Sequence, residues 1–168
     1  MKDYQLRLHG KQMIEYFVNQ NKWENHEARP IQGDYPQMYL LVGKKSDAYE
    51  LLVNPVIDGI RNQDTCPLPL NVIKLDSSKG IEVLKSQIII NRPVLERLNL
   101  YVIEDFDESI YQGREIEEEF SRLLCSLMGT LQYIPHMTNS HIIIISDKTP
   151  GSCLDYFFRK NVLTQIVL

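Results

Sequence analysis

Residues with chemical potential gather in three places. From Glu104 to Glu119 the chain holds eight acids and one base, a local sum of −7. The rest has 14 acids (22 − 8) and 17 bases (18 − 1), a sum of +3, so the formal net charge of −4 is set by one short segment. Gly43-Lys44-Lys45-Ser46 follows an apolar run, and a lysine beside a hydroxyl is a pair that holds phosphate. A second apolar run ends in Ser146-Asp147, and a third in Glu104-Asp105, a pair of acids able to share a magnesium ion when phosphate completes the coordination.

Other chemistries lack their residues. His9, His26, His136 and His141 show no i, i+4 pairing and no H-E-x-x-H. Cys66, Cys125 and Cys153 are widely spaced with no C-x-x-C, which excludes a zinc ribbon or thioredoxin-type site and reads as plain thiols in a reducing compartment. Ser152 sits in Pro150-Gly151-Ser152-Cys153, without the G-x-S-x-G elbow of a serine nucleophile. No metal site and no cofactor are expected. The acidic balance argues against direct nucleic-acid binding, since phosphate neutralisation needs a basic surplus. No signal-peptide pattern opens the chain and no apolar run is long enough to span a bilayer, so the expectation is a cytoplasmic protein with no membrane partner.

The elements that must position these residues can be read from periodicity. Met13, Ile14, Phe17 and Val18 predict a helix over Gly10 to Trp23, and Pro30, Gly33 and Pro36 predict a loop after it. Strands are predicted at Met38 to Val42, Leu70 to Leu75, Leu98 to Ile103, His141 to Ile145 and Leu163 to Leu168. Helices are predicted from Ser46, as a cap, through Leu52, with Pro55 breaking or restarting it. Further helices are predicted at Ile81 to Ser86, with Ile88-Ile89-Ile90 as helix or strand, and at Asp155 to Lys160. The strongest helix is Glu115 to Leu131, whose stripe runs Ile116, Phe120, Leu123, Leu124, Leu127, Leu131. Apolar strands alternating with helices give an α/β, three-layer, mostly parallel five-stranded sheet preceded by an N-terminal helix. Residues 1–36 form the helix and linker, and residues 37–168 form the α/β domain.

This order of elements resembles the P-loop NTPase core of the AAA+ and helicase-loader type. In it Tyr39 to Val42 is the first strand, Leu100 to Asp105 the acidic strand and Ile142 to Ser146 the sensor strand. The resemblance implies a P-loop-derived fold with Lys45, Ser46, Asp105 and Ser146 as the nucleotide residues. A phosphate loop needs G-x-x-x-x-G-K-[ST], and here Gly43 follows the strand directly, so the arch of backbone amides is missing. The family's helical lid is also expected to be absent. These departures imply a core that has lost its nucleotide.

Carboxylates near a helix start stabilise it by about 0.3–1 kcal/mol each, which explains one or two of Glu115, Glu117, Glu118 and Glu119. With Asp105, Asp107 and Glu108 they form either a solvated face or a negative patch that docks on a basic surface. Gln5-Leu6-Arg7-Leu8-His9 is similar to the Q-L-x-L-F peptide by which bacterial replication proteins hold the sliding clamp, with Gln5, Leu6 and Leu8 in the anchoring places and His9 replacing the final Phe. Size and character resemble the small phage inhibitors of that clamp. The expectation is a non-enzymatic module that binds the bacterial DNA polymerase sliding clamp through its acidic face and blocks replication, in the host bacterial cytoplasm, and possible as a homodimer. The alternative is a helicase-loader-like ATPase with a degenerate nucleotide site.

Overall fold

The computed structural model describes residues 2–23, 38–62, 69–91, 98–127, 139–159 and 163–168. Alternating apolar and short polar segments give helix α1 (Lys2–Trp23) and then strand β1 (Met38–Val42). A helical stretch follows: α2 (Lys45–Ala48), a π-helical turn (Tyr49–Val53) and α3 (Asn54–Arg61). Next come β2 (Leu70–Asp76), α4 (Ile81–Ile90) and β3 (Leu98–Phe106). A 3₁₀ turn (Glu108–Tyr111), α5 (Arg114–Leu127), β4 (Asn139–Ser146), α6 (Asp155–Arg159) and β5 (Leu163–Val167) complete the fold. The five strands form one sheet in the order β2-β3-β4-β1-β5, and every pair is parallel.

The sheet is covered on both faces, and β1 and the Ile142 to Ile145 stretch of β4 are accordingly apolar at successive rather than alternate positions. One face carries Leu40, Tyr101, Ile142 and Ile144 against Leu84 of α4, Phe120 and Leu124 of α5 and Phe157 of α6. The other carries Tyr39, Leu41, Val102, Ile143 and Ile145 against Leu6 and Met13 of α1 and the Leu52 to Ile60 stretch. Phe106, Tyr111 and Phe120 form a ring cluster with centroids 4.7–5.4 Å apart, which ties the end of β3 to α5.

The sequence-based elements hold, with local corrections. Helix α1 starts eight residues earlier than periodicity predicts, so Gln5, Leu6 and Leu8 are helical; Leu6 is buried while Gln5 and Leu8 are exposed. Ser46 does not cap α2: Lys44 precedes the helix, with no side-chain cap. Pro55 restarts the helical run rather than breaking it, in the first turn of α3. The wider π register of Tyr49–Val53 lies directly before it, where a proline's missing N–H would otherwise break an α-helical ladder. Ile88, Ile89 and Ile90 finish α4 rather than forming a strand. Helix α5 is described to Leu127, and Leu131, His26, His136, Cys66 and the predicted loop with Pro30, Gly33 and Pro36 lie outside the described residues.

Strand β4 is central, so His141 is packed inside with 1% exposure, and burial pushes its imidazole down to about 3. A histidine neutral when folded and protonated when unfolded makes the unfolded chain bind more protons below its ordinary value of 6.5. Its contribution is therefore constant above 6.5 and is lost as pH falls toward 3. We expect denaturant midpoints to drop with acid more steeply in the wild type than in His141→Gln, by up to about 1.4 kcal/mol per pH unit between about pH 4 and 6. Parallel pH profiles of the two proteins would show that the histidine is not the source.

Candidate functional site

In an open parallel sheet, the carboxyl ends of the strands beside a reversal of strand order are where ligands bind. Here that edge is built from the ends of β1, β3 and β4, where β1 lies between β4 and β5. The chain leaves β1 at Val42 and enters α2 at Lys45, with Gly43 and Lys44 alone between. Gly43 has φ of 153°, donates its N–H to the Ser146 carbonyl at 2.8 Å, and sits against the Leu168 side chain, 2.9 Å from where a Cβ would stand. A side chain has no room there, and two residues are too few to form a phosphate-wrapping arch.

The opposite wall comes from a bulge. Ile103 pairs with Ile144 and Phe106 with Ser146, so Glu104 and Asp105 on β3 face Ile145 alone on β4. Asp105 takes φ of 56°, a conformation that aspartate tolerates better than most residues. The bulge re-aims both acids. Asp105 accepts a hydrogen bond and ion pair from Lys45 Nζ at 2.9 Å. That carboxylate holds the Lys45 ammonium above its usual value. One turn further along the helical run, the Tyr49 hydroxyl donates to the Glu104 carboxylate. Burial, then that bond, raises the Tyr49 hydroxyl above its ordinary range. Lys74 of β2 lies 4.8 Å above the Tyr49 ring, and Ser77 donates from both amide and hydroxyl to the Glu104 carbonyl.

The four residues proposed for a nucleotide are thus distributed as follows. Lys45 and Asp105 hold each other. The Ser146 hydroxyl donates to the Lys148 carbonyl at 2.6 Å, and Ser46 is exposed in the first turn of α2. The first connection is two residues long, without the arch of a G-x-x-x-x-G-K-[ST] loop, and the lysine meets a carboxylate. Among the described residues no group of three or more His, Cys, Asp or Glu is placed to hold a metal ion. Cys125 is half-buried and Cys153 is buried; burial pushes the Cys153 thiol up to about 12, which leaves it no thiolate for attack. Tyr49 is the member of this cluster that sequence reasoning missed. Its signal is its spacing, four residues after Lys45 and so on the same side of the helical run.

The acidic segment is partly neutralised from within. Glu118 pairs with Arg114 at 3.3 Å and Arg122 at 3.8 Å, and Glu119 with Lys85 of α4. Glu108 accepts from the Gly151 amide, Glu117 from the Ser152 hydroxyl at 3.2 Å, and Asp107 caps the 3₁₀ turn through the Ser109 amide and hydroxyl. The Ser109 bonds hold the Asp107 carboxyl below the usual range. Hydrogen bonds leave a carboxylate charged. Among the described residues, Glu104, Asp107, Glu108, Glu115 and Glu117 therefore remain acids without a cation partner.

No protein-family model matches this chain, and no curated protein matches it. Among solved structures it is similar to PCH-2 of C. elegans, at 12% identity and a TM-score of 0.50 over 92% of this chain and 41% of that one. It is also similar to ORC2 of Aeropyrum pernix in its ADP form, at 7% identity and a TM-score of 0.49 over 95% of this chain and 47% of that one. Saccharomyces cerevisiae RIF2 aligns at 12% identity and a TM-score of 0.43, over 99% of this chain and 60% of that one. The chain spans less than half the length of the PCH-2 and ORC2 chains it matches. The likeness is one of fold: an α/β core with a parallel five-stranded sheet and helices on both sides.

The αL geometry of Asp105 gives a stability test. Asp105→Gly and Asp105→Ala both remove the exposed ion pair, which contributes little. The alanine variant alone suffers a side-chain clash at positive φ. We expect it to be less stable than the glycine variant by about 1–2 kcal/mol in urea denaturation. Equal midpoints would contradict the bulge geometry.

Proposed function

We propose that this chain is a non-enzymatic protein–protein interaction module on an AAA+-type core, and that it binds the bacterial replication sliding clamp through its acidic face and blocks DNA replication. The observation that carries the non-enzymatic part is the Lys45–Asp105 contact: a cation and an anion that would face phosphate and magnesium in a working site face each other instead. The partner follows from charge. Among the described residues, Asp107, Glu108, Glu115 and Glu117 have no ion-pair partner and sit around the 3₁₀ turn and at the start of α5, and a clamp's channel is basic because DNA passes through it. The resemblance to small phage clamp inhibitors supports the same partner. A homodimer belongs to this reading, since a ring clamp is itself symmetric. Gln5 and Leu8 are exposed on α1, while Leu6 is part of the core, so a contact by this segment would use the helix surface rather than an extended peptide.

The ATPase reading has one observation in its favour: Lys45 and Asp105 do meet at the edge where a nucleotide would bind.

The charge model predicts the outcome of Glu115→Lys/Glu117→Lys. Neither residue supports the fold through an ion pair, so circular dichroism and the melting temperature should change little. Binding to a purified bacterial clamp, read by surface plasmon resonance, should weaken at least about tenfold, mainly by slower association. Wild-type affinity in the double variant would show that the acids are a solvated face.

A further inference from the structure

A second surface, away from the acidic segment, carries charges that the chain leaves unspent. Between α1 and the helical run of α2 and the π turn lies a groove of about 560 Å³. Its apolar floor is Leu6 and Ile14 of α1 with Leu51 and Pro55 across from them. Leu51 is 41% exposed. Arg7 and Lys11 stand on the α1 wall, with Glu15 at its end, and Glu50 stands on the opposite wall. All four are exposed, and among the described residues none makes an ion pair. The contrast with α5, where Glu118 and Glu119 are paired internally, is direct.

We infer that this groove is a docking site for an amphipathic helix of a partner protein, one with an apolar stripe flanked by acids on one side and bases on the other. Three features select that occupant. From Leu6 to Ile14 the groove runs eight residues of helix, about 12 Å, which matches the i, i+3 or i+4, i+7 anchors of two helical turns. Both walls are helical, so their backbone groups are bonded internally and offer an extended peptide no strand to pair with; a helix satisfies its own backbone. The walls differ in sign, so acids on the flank facing Arg7 and Lys11 and bases on the flank facing Glu50 complete the contact. A nucleic acid would meet Glu15 and Glu50 with its phosphates.

The test uses the full chain and a synthetic helix-forming peptide of about 15 residues, with leucines along one stripe, glutamates on one flank and lysines on the other, labelled for fluorescence anisotropy. Two control peptides carry the same leucines with glutamate on both flanks or lysine on both. Wild-type protein should bind the mixed peptide saturably and each control less tightly. Leu51→Asp, at an exposed position, should weaken the mixed peptide at least about tenfold with an unchanged circular dichroism spectrum. Arg7→Glu/Lys11→Glu, which makes both walls acidic, should shift the preference to the all-lysine peptide. Absence of saturable binding, or binding that ignores Leu51→Asp and the charge reversal, overturns the inference. So does a dimer in sedimentation velocity that Leu51→Asp dissociates, because the groove would then be filled by a second copy. These outcomes do not depend on the acidic face, since neither variant touches it.

Discussion

The chain passes from strand to helix in two residues, and that constraint governs the rest of the site. Gly43 adopts a conformation unfavourable to other residues and packs against Leu168 just after β5, so a side chain at this position would displace Leu168. A short connection brings Lys45 to the start of the helix and within reach of β3. The bulge at Glu104-Asp105 supplies the matching carboxylate. Each half requires the other: without the bulge, Asp105 would follow the strand's alternation, and with a longer loop, Lys45 would stand elsewhere.

At the carboxyl ends of β1 and β3 a lysine and an acid face each other, Lys45 against Asp105. Tyr49 and Lys74 extend the internal network, with Tyr49 donating to Glu104 and Lys74 lying over the tyrosine ring. The groups at this end of the sheet are occupied with one another. Among the described residues, the charges without an ion-pair partner are the acids around the 3₁₀ turn and at the start of α5 on one side, and the walls of the groove beside α1 on the other.

Much of the fold is legible in the sequence because the sheet is buried on both faces. Runs such as Met38 to Val42 and Ile142 to Ile145 have one reading once they are bounded by Gly43 and Ser146, and the stripe Ile116, Phe120, Leu123, Leu124, Leu127 has one helical reading. Local chemistry misleads where tertiary packing overrides it. Three consecutive isoleucines favour a strand, yet Ile88 packs on the core and the run completes α4. Pro55 reads as a break or a restart, and the restart is what occurs: the π turn ends at Val53 and α3 opens at Asn54 with Pro55 in its first turn. At the site, Lys45 and Asp105 could be named from the sequence, but their contact could not. It spans sixty residues and depends on a bulge with no signature of its own. The neutralisation of Glu119 by Lys85 is hidden for the same reason, since it joins α4 to α5.

Isothermal titration calorimetry with ATP and magnesium tests the central claim, that the Lys45–Asp105 contact stands in the place of a nucleotide. The account predicts no saturable heat at millimolar nucleotide, and the same flat trace for Lys45→Ala. One-to-one saturable binding that Lys45→Ala abolishes would contradict it, because the lysine would then be exchanging its carboxylate for a phosphate.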